Sequence, residues 1–195
     1  VRKRIENLEE KIESGNIKVS TVQIEQSKDV KSQIIEDDKV EENKEYYLEK
    51  FGIKEKYDLI GSVFSYEKNF DSLIEELKKL DKKIILLILS EKTQKNFIKY
   101  FDNGNNYDKI KFVKLAFFTN DKYEELLALC DFNLVRGEDS FVRALLLGKP
   151  FLWHIYPQDE NTHIKKLESF LEKYCSNNKE LKQTFINYNI NKDDF

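Results

Sequence analysis

The feature that most restricts this chain is a run without alternation, Ile84-Ile85-Leu86-Leu87-Ile88-Leu89, set between two amphipathic segments of helical length. An extended segment points successive side chains to opposite faces, so six apolar residues in a row need cover on both. That is the condition of an inner strand in a parallel sheet. The same punctuation recurs from residue 46 to about residue 174. Residues 58–66 read as a first strand, and Phe70, Leu73, Ile74, Leu77 and Leu80 then share one face of a helix that starts at Asn69. Ser90 is placed to cap the helix after the apolar run. Residues 109–117 supply a third strand. A helix opening at Asn120 or Asp121 turns Tyr123, Leu126, Leu127 and Cys130 inward, and residues 132–135 form a short fourth strand. The helix 138–147 stops at Gly148 in a left-handed cap, and 150–154 follows as a fifth strand. After Pro157 a long helix carries Ile164, Leu167, Phe170, Leu171 and Tyr174 on one side.

Each strand is separated from the next by a helix-length insert, which rules out hairpins and makes the strands parallel with right-handed crossovers. The expectation is an α/β fold, a Rossmann-like parallel sheet with helices on both faces. Ligands of such sheets bind beyond the carboxyl ends of the strands, here the loops near Phe64, Ser90, Phe118, Arg136 and His154. With 195 residues the chain holds one core, and the expected division is a polar lead-in over 1–44, the nucleotide-fold domain over 45–174 and a polar helical tail over 175–195. Within the lead-in, Val1, Ile5, Leu8 and Ile12 make a narrow helical stripe, 17–24 alternates like an exposed strand, and 27–43 is charged enough to be a linker. Because the chain opens at Val1 in what reads as the middle of a helix, it is expected to be a fragment lacking an N-terminal portion.

Composition narrows the function classes. Against 33 Lys+Arg stand 36 Asp+Glu, a net charge of −3, so no basic field draws the chain to nucleic acid. No apolar run is long enough to span a bilayer and no signal peptide is visible, which with two scattered cysteines, Cys130 and Cys175, points to reduced, buried thiols in a cytoplasmic protein with no membrane partner. No zinc spacing, P-loop, nucleophile elbow or His-Cys pair is present. No metal, no cofactor and no self-contained catalytic set are therefore expected.

The strongest local signal is Val135-Arg136-Gly137-Glu138-Asp139-Ser140-Phe141-Val142-Arg143, at a strand end and a helix start. Gly137 allows close backbone approach, and the free N–H groups of the following turn with the helix dipole behind them make a seat for phosphate. Arg136 and Ser140 add a charged and a neutral donor. Glu138 and Asp139 repel phosphate and instead suit sugar or ribose hydroxyls and amides. The same string also describes a well-capped helix with acidic residues at its positive end, and the two readings stand level.

A second signal is the strand that runs into Tyr156-Pro157-Gln158, where Tyr156 and Gln158 are in reach of a phosphate or sugar. His154 suits a structural role with one ring nitrogen satisfied by backbone, and His163 is read as surface. Third, Phe64, Tyr66, Phe117 and Tyr123 cluster at strand ends, where flat rings sandwich a nucleobase or else complete the core.

At these same residues the chain resembles a known family, the protein-arginine rhamnosyltransferases acting on elongation factor P, often called EarP. The resemblance is carried by Cys130-Asp131-Phe132-Asn133-Leu134-Val135-Arg136-Gly137-Glu138-Asp139-Ser140-Phe141-Val142-Arg143-Ala144 and by Gly148-Lys149-Pro150-Phe151-Leu152-Trp153-His154-Ile155-Tyr156-Pro157-Gln158-Asp159. It is weaker at Ser62-Val63-Phe64-Ser65-Tyr66 and around 117–127. It implies one half of a two-domain GT-B glycosyltransferase, the half that holds the donor dTDP-β-L-rhamnose. The reaction it implies is inverting and metal-free, with an aspartate in the absent N-terminal half as base or guanidinium-positioning group and elongation factor P as acceptor. On this resemblance Phe64, Tyr66 and Tyr123 lie near thymine and deoxyribose, Arg136, Ser140 and Tyr156 near the diphosphate, and Glu138 and Asp139 near the sugar or a structural loop. A Pro-Phe-x-Pro-Gln pattern of the family is replaced by Ala116-Phe117-Phe118-Thr119-Asn120, where Asn120 offers the amide one methylene shorter. Two other readings are weighed against it: a nucleotide-sugar 2-epimerase-like enzyme on the same fold, and a non-catalytic binding module. The isolated fragment is expected to be inactive.

Overall fold

A computed structural model describes residues 44–102, 107, 109–116, 119–158, 162–175 and 178–190, without the side chains of Asp102, Asn120 and Asp121. The expected lead-in helix, strand and linker over 1–43 lie outside the described residues, as do Phe117, Phe118 and Asp159. In chain order the elements are α1 (Lys44–Lys50), β1 (Leu59–Val63), α2 (Asp71–Lys79), β2 (Ile84–Leu89), α3 (Glu91–Lys95), α4 (Ile98–Asp102), β3 (Ile110–Leu115), α5 (Asn120–Leu129), β4 (Phe132–Arg136), α6 (Gly137–Leu147), β5 (Phe151–His154), α7 (Thr162–Tyr174) and α8 (Lys179–Ile190).

All five strands run parallel in the order β3-β2-β1-β4-β5, so the α/β class and the parallel sheet expected from the alternation are borne out. The chain winds outward to β3 on one side of β1 and then returns to wind outward to β5 on the other. The reversal falls between β1 and β4, which is where sheets of this kind open a crevice. β2 shows why its sequence has no alternation. Ile85, Leu87 and Leu89 enter the core on one face of the sheet, with Leu126, Leu127, Trp153 and Leu167. Ile84, Leu86 and Ile88 enter the core on the other, with Phe70, Ile74, Phe97 and Tyr188. Each such buried aliphatic side chain contributes roughly 1.5–3 kcal/mol.

Polar groups fix how β4 lies against β1. The backbone N–H groups of Ile60 and Asp131 are both satisfied across the pair, Ile60 by the Asp131 carboxylate at 2.8 Å and Asp131 by the Ile60 carbonyl at 2.8 Å. The buried Ser62 hydroxyl donates to Asn133 Oδ1 at 2.5 Å, and Asn133 Nδ2 donates to the Leu127 carbonyl at 3.1 Å. Gly61 is opposite Phe132, whose ring fills the space that a Cβ at that position would need.

Several expectations change. The first strand is shorter than 58–66: Leu59–Val63 pairs with β2, and within it only Gly61–Val63 also pairs with β4. Leu80, expected on the inner face of α2, is exposed because the backbone leaves the helix there in an extended conformation. His163 is not surface: it is 6% exposed, and its Nδ1 accepts the Gln158 N–H at 3.1 Å. The polar tail contains α8, which places Phe185 in one core and Tyr188 in the other.

Candidate functional site

The crevice is built on the carboxyl ends of β1, β4 and β5. Pairing with β4 continues one residue past β1, through Phe64 N–H to the Leu134 carbonyl at 2.8 Å, and the chain then leaves the sheet as Phe64-Ser65-Tyr66. Ser65 is fully buried between the two rings, and its backbone is pinned by Thr93, which accepts from its N–H at 3.1 Å and donates to its carbonyl at 3.0 Å. Ser90, in a left-handed conformation with φ of 60°, caps the turn that presents Thr93.

From the end of β4, Arg136 extends back over this segment. Its guanidinium lies 4.2 Å from the centre of the Phe64 ring and 5.0 Å from that of Tyr66, and Nη1 donates to the Ser65 carbonyl at 3.4 Å. Cation–π contacts of this kind are worth about 0.5–2 kcal/mol. Burial lowers the Arg136 pKa from its ordinary value. The charge is thus partly dehydrated beside the mouth of α6, which strengthens its pull on an anion.

α6 opens without a side-chain cap: Arg136 stands at the cap position and makes no capping bond. Gly137 turns with φ of 67°, a left-handed conformation that favours glycine, and a Cβ added there would lie 3.5 Å from the Tyr66 hydroxyl. Trp153 Nε1 donates to the Gly137 carbonyl at 2.7 Å and stacks on Phe141, which anchors the turn to β5. Gly137 is half-buried, Glu138 and Asp139 are exposed, and Ser140 is buried. The first turn therefore lies at the surface, while the Ser140 side chain faces Tyr123 beneath it. Burial raises the pKa of the Tyr123 phenol, and its ring meets Phe64 edge to face at 6.0 Å.

From β5 comes His154, 6% exposed, with Nδ1 2.7 Å from Ser65 Oγ. The Ser65 hydroxyl donates to the Tyr66 carbonyl at 3.0 Å, so the ring nitrogen facing it is the donor and His154 is the Nδ1–H tautomer. Its partner is thus a side-chain hydroxyl rather than the backbone expected. Burial first, with the nearby Lys68 and Arg136 charges adding to it, lowers the His154 pKa to about 3. One residue on from Ile155, Tyr156 is exposed and meets the Tyr66 ring edge to face at 5.6 Å.

The structure thus brings together Phe64, Tyr66, Tyr123, Arg136, Gly137, Ser140 and Tyr156. Glu138 is paired with Lys166, and Asp139 is held by Arg143 through Nε at 2.9 Å, with Arg143 also paired to Glu124. Gln158 is exposed and its Oε1 accepts from Thr162 at 3.2 Å. The backbone of Asn120 opens α5, and its side chain lies outside the described residues. Sequence reasoning missed Ser65 and Thr93, whose residue types carry no signal; Trp153, inside the quoted string, was not singled out. Among the described residues, no group of three or more His, Cys, Asp or Glu is arranged to hold a metal ion, and no helix is long and apolar enough to cross a membrane.

The family described as Elongation-Factor P (EF-P) rhamnosyltransferase EarP matches residues 20–194. A protein-arginine rhamnosyltransferase of Pseudomonas aeruginosa is 56% identical over 69 residues, 35% of this chain and 18% of that protein. One from Neisseria meningitidis serogroup B is 55% identical over 64 residues, 33% and 17% of the two chains. One from Pseudomonas putida is 62% identical over 60 residues, 31% and 16%. A solved structure, described as the structural basis for EarP-mediated arginine glycosylation of translation elongation factor EF-P, superposes with a TM-score of 0.66 at 28% identity. That match covers 82% of this chain and 56% of the solved one, so the chain spans little more than half of its structural relative.

Proposed function

The chain belongs to the EarP family of elongation factor P rhamnosyltransferases, and on that premise we propose that it is the donor-binding portion of an inverting glycosyltransferase that moves L-rhamnose from dTDP-β-L-rhamnose to an arginine of elongation factor P. The observation that carries this reading is the Arg136 guanidinium, laid across Phe64 and Tyr66 beside the uncapped amides of α6. Rings, a dehydrated cation and a helix N-terminus are the three things a nucleoside diphosphate needs: a stacking surface, a counter-charge and backbone donors.

In this reading Phe64, Tyr66 and Tyr123 form the wall for thymine and deoxyribose, with the Asn120 amide toward the base. Arg136, the amides of Gly137 to Ser140 and the Tyr156 phenol surround the diphosphate. Ser140 contributes through its N–H, since its side chain is buried toward Tyr123. As the sugar departs, charge builds on the diphosphate, and the guanidinium and helix dipole stabilise it there. Glu138 and Asp139 stand at the sugar side, and Gln158 at the outer rim. The aspartate that acts on the acceptor arginine is assigned to the N-terminal half of the two-domain enzyme, and donor binding to the residues named above. The setting is the cytoplasm, where elongation factor P and nucleotide sugars meet.

Titration calorimetry with dTDP tests the assignment. Arg136→Ala is expected to weaken binding at least about tenfold, the loss of one charge-assisted contact. An Arg136→Ala chain that binds dTDP as the unsubstituted chain does would refute it.

A further inference from the structure

The carboxyl end of β5 has no neighbouring strand among the described residues on its outer side, yet its backbone groups there are satisfied. Asn189, near the end of α8, accepts the Ile155 N–H through Oδ1 at 2.9 Å and donates through Nδ2 to the Trp153 carbonyl at 2.9 Å. The two groups flank His154. A residue on an adjoining parallel strand would engage the same pair, the carbonyl before and the N–H after its opposite number, so one carboxamide stands in for a sixth strand. The amide is itself fixed by a second bond from Nδ2 to the Phe185 carbonyl one turn back, at 2.8 Å. Immediately before it, Tyr188 is buried, and its hydroxyl donates to Ser65 Oγ at 3.4 Å, the same oxygen that accepts from His154. Consecutive residues of α8 therefore hold the ends of β1 and β5. These are the ends that present Tyr66 and Tyr156 to each other, 5.6 Å apart between ring centres.

We propose that α8 is part of the ligand-binding apparatus and that Asn189 is a positioning residue: by substituting for a strand at the β5 edge it fixes the path of His154 to Tyr156 and so sets the gap between Tyr156 and Tyr66. The inference rests on the donor-binding reading above. It adds that affinity for a nucleoside diphosphate depends on a helix that bonds to the site from behind it.

The test compares three variants of the chain in two measurements. Asn189→Asp keeps the acceptor for Ile155 and removes the donor to Trp153 and Phe185. Tyr188→Phe removes a single hydroxyl. Phe185→Leu thins the core under the same helix and trims a ring contact with Phe151 at the start of β5, while leaving the side-chain bonds of Asn189 to Trp153 and Ile155 in place. Hydrogen–deuterium exchange is read at residues 155–158, and dTDP affinity by calorimetry. Asn189→Asp is expected to speed exchange of that segment and to weaken dTDP about tenfold, Tyr188→Phe to weaken it a few-fold, and Phe185→Leu to lower the melting temperature with affinity kept. The proposal is overturned by unchanged exchange in Asn189→Asp, by faster exchange with affinity intact, or by an equal loss of affinity in Phe185→Leu, which would make the effect one of general stability. Absence of dTDP binding in the unsubstituted chain would be the failure of the donor reading itself and would take this inference with it. Donor binding that is lost in Arg136→Ala but kept in Asn189→Asp would overturn this inference alone.

Discussion

His154 sits where three segments meet without being free to ionise. Its ordinary pKa of about 6.5 falls to about 3 in the folded chain, because burial penalises the imidazolium and the Lys68 and Arg136 charges oppose it. The sign of the consequence is set by which state takes up the proton. Between those two values the unfolded chain binds a proton at this residue and the folded chain does not, so stability is full above pH 6.5 and is lost as pH falls toward 3. From pH 7 to pH 5 the loss is expected to be about 2 kcal/mol. Urea unfolding at the two pH values measures it. In His154→Asn, whose side-chain amide can still donate to Ser65, that difference should shrink to the contribution of the remaining groups; an undiminished difference would show that His154 is not its source.

Among the elements, what was readable from sequence and what was not divide on physical grounds. β2 was legible because six apolar residues in a row, too few for a buried helix between two others, suit an inner strand and little else, and the end of α6 because Gly148 takes the left-handed cap it is suited to, with φ of 67°. The convergence of Phe64, Tyr66 and Arg136 was legible too, since parallel topology alone brings strand ends together. The Ser65 hub was not: its partners His154 and Tyr188 lie 89 and 123 residues away and are ordinary residue types. Nor was the burial of His163, because it sits one residue before the aliphatic stripe that begins at Ile164 and only the fold shows that α7 turns it inward. α8 looked like a tail because its charged and amide residues outnumber Phe185 and Tyr188, the residues it buries. Those two residues predict the cost of losing it. A chain shortened to end at Asn178 leaves a hole in each core, each large enough to cost about 3–5 kcal/mol, on the order of the whole stability of a domain this size. It is expected to lose cooperative thermal unfolding by circular dichroism. A sharp transition within a few degrees of the full chain would contradict that.

At the level of the whole molecule, helices cover the faces of the sheet, and among the described residues its two outer strands, β3 and β5, have no strand partner on their outer sides. β3 lines one margin, and its outward residues Lys111 and Lys114 are exposed, with Lys111 bound to Glu55 at 3.1 Å. β5 lines the other, where Asn189 occupies the backbone groups on either side of His154. Lysine discourages another chain from docking along a strand by charge, and the carboxamide does so by prior occupancy. The same helix that steadies the crevice therefore also acts as a guard against fibril-like stacking, and a lesion at its end would be felt as loss of solubility as well as loss of ligand.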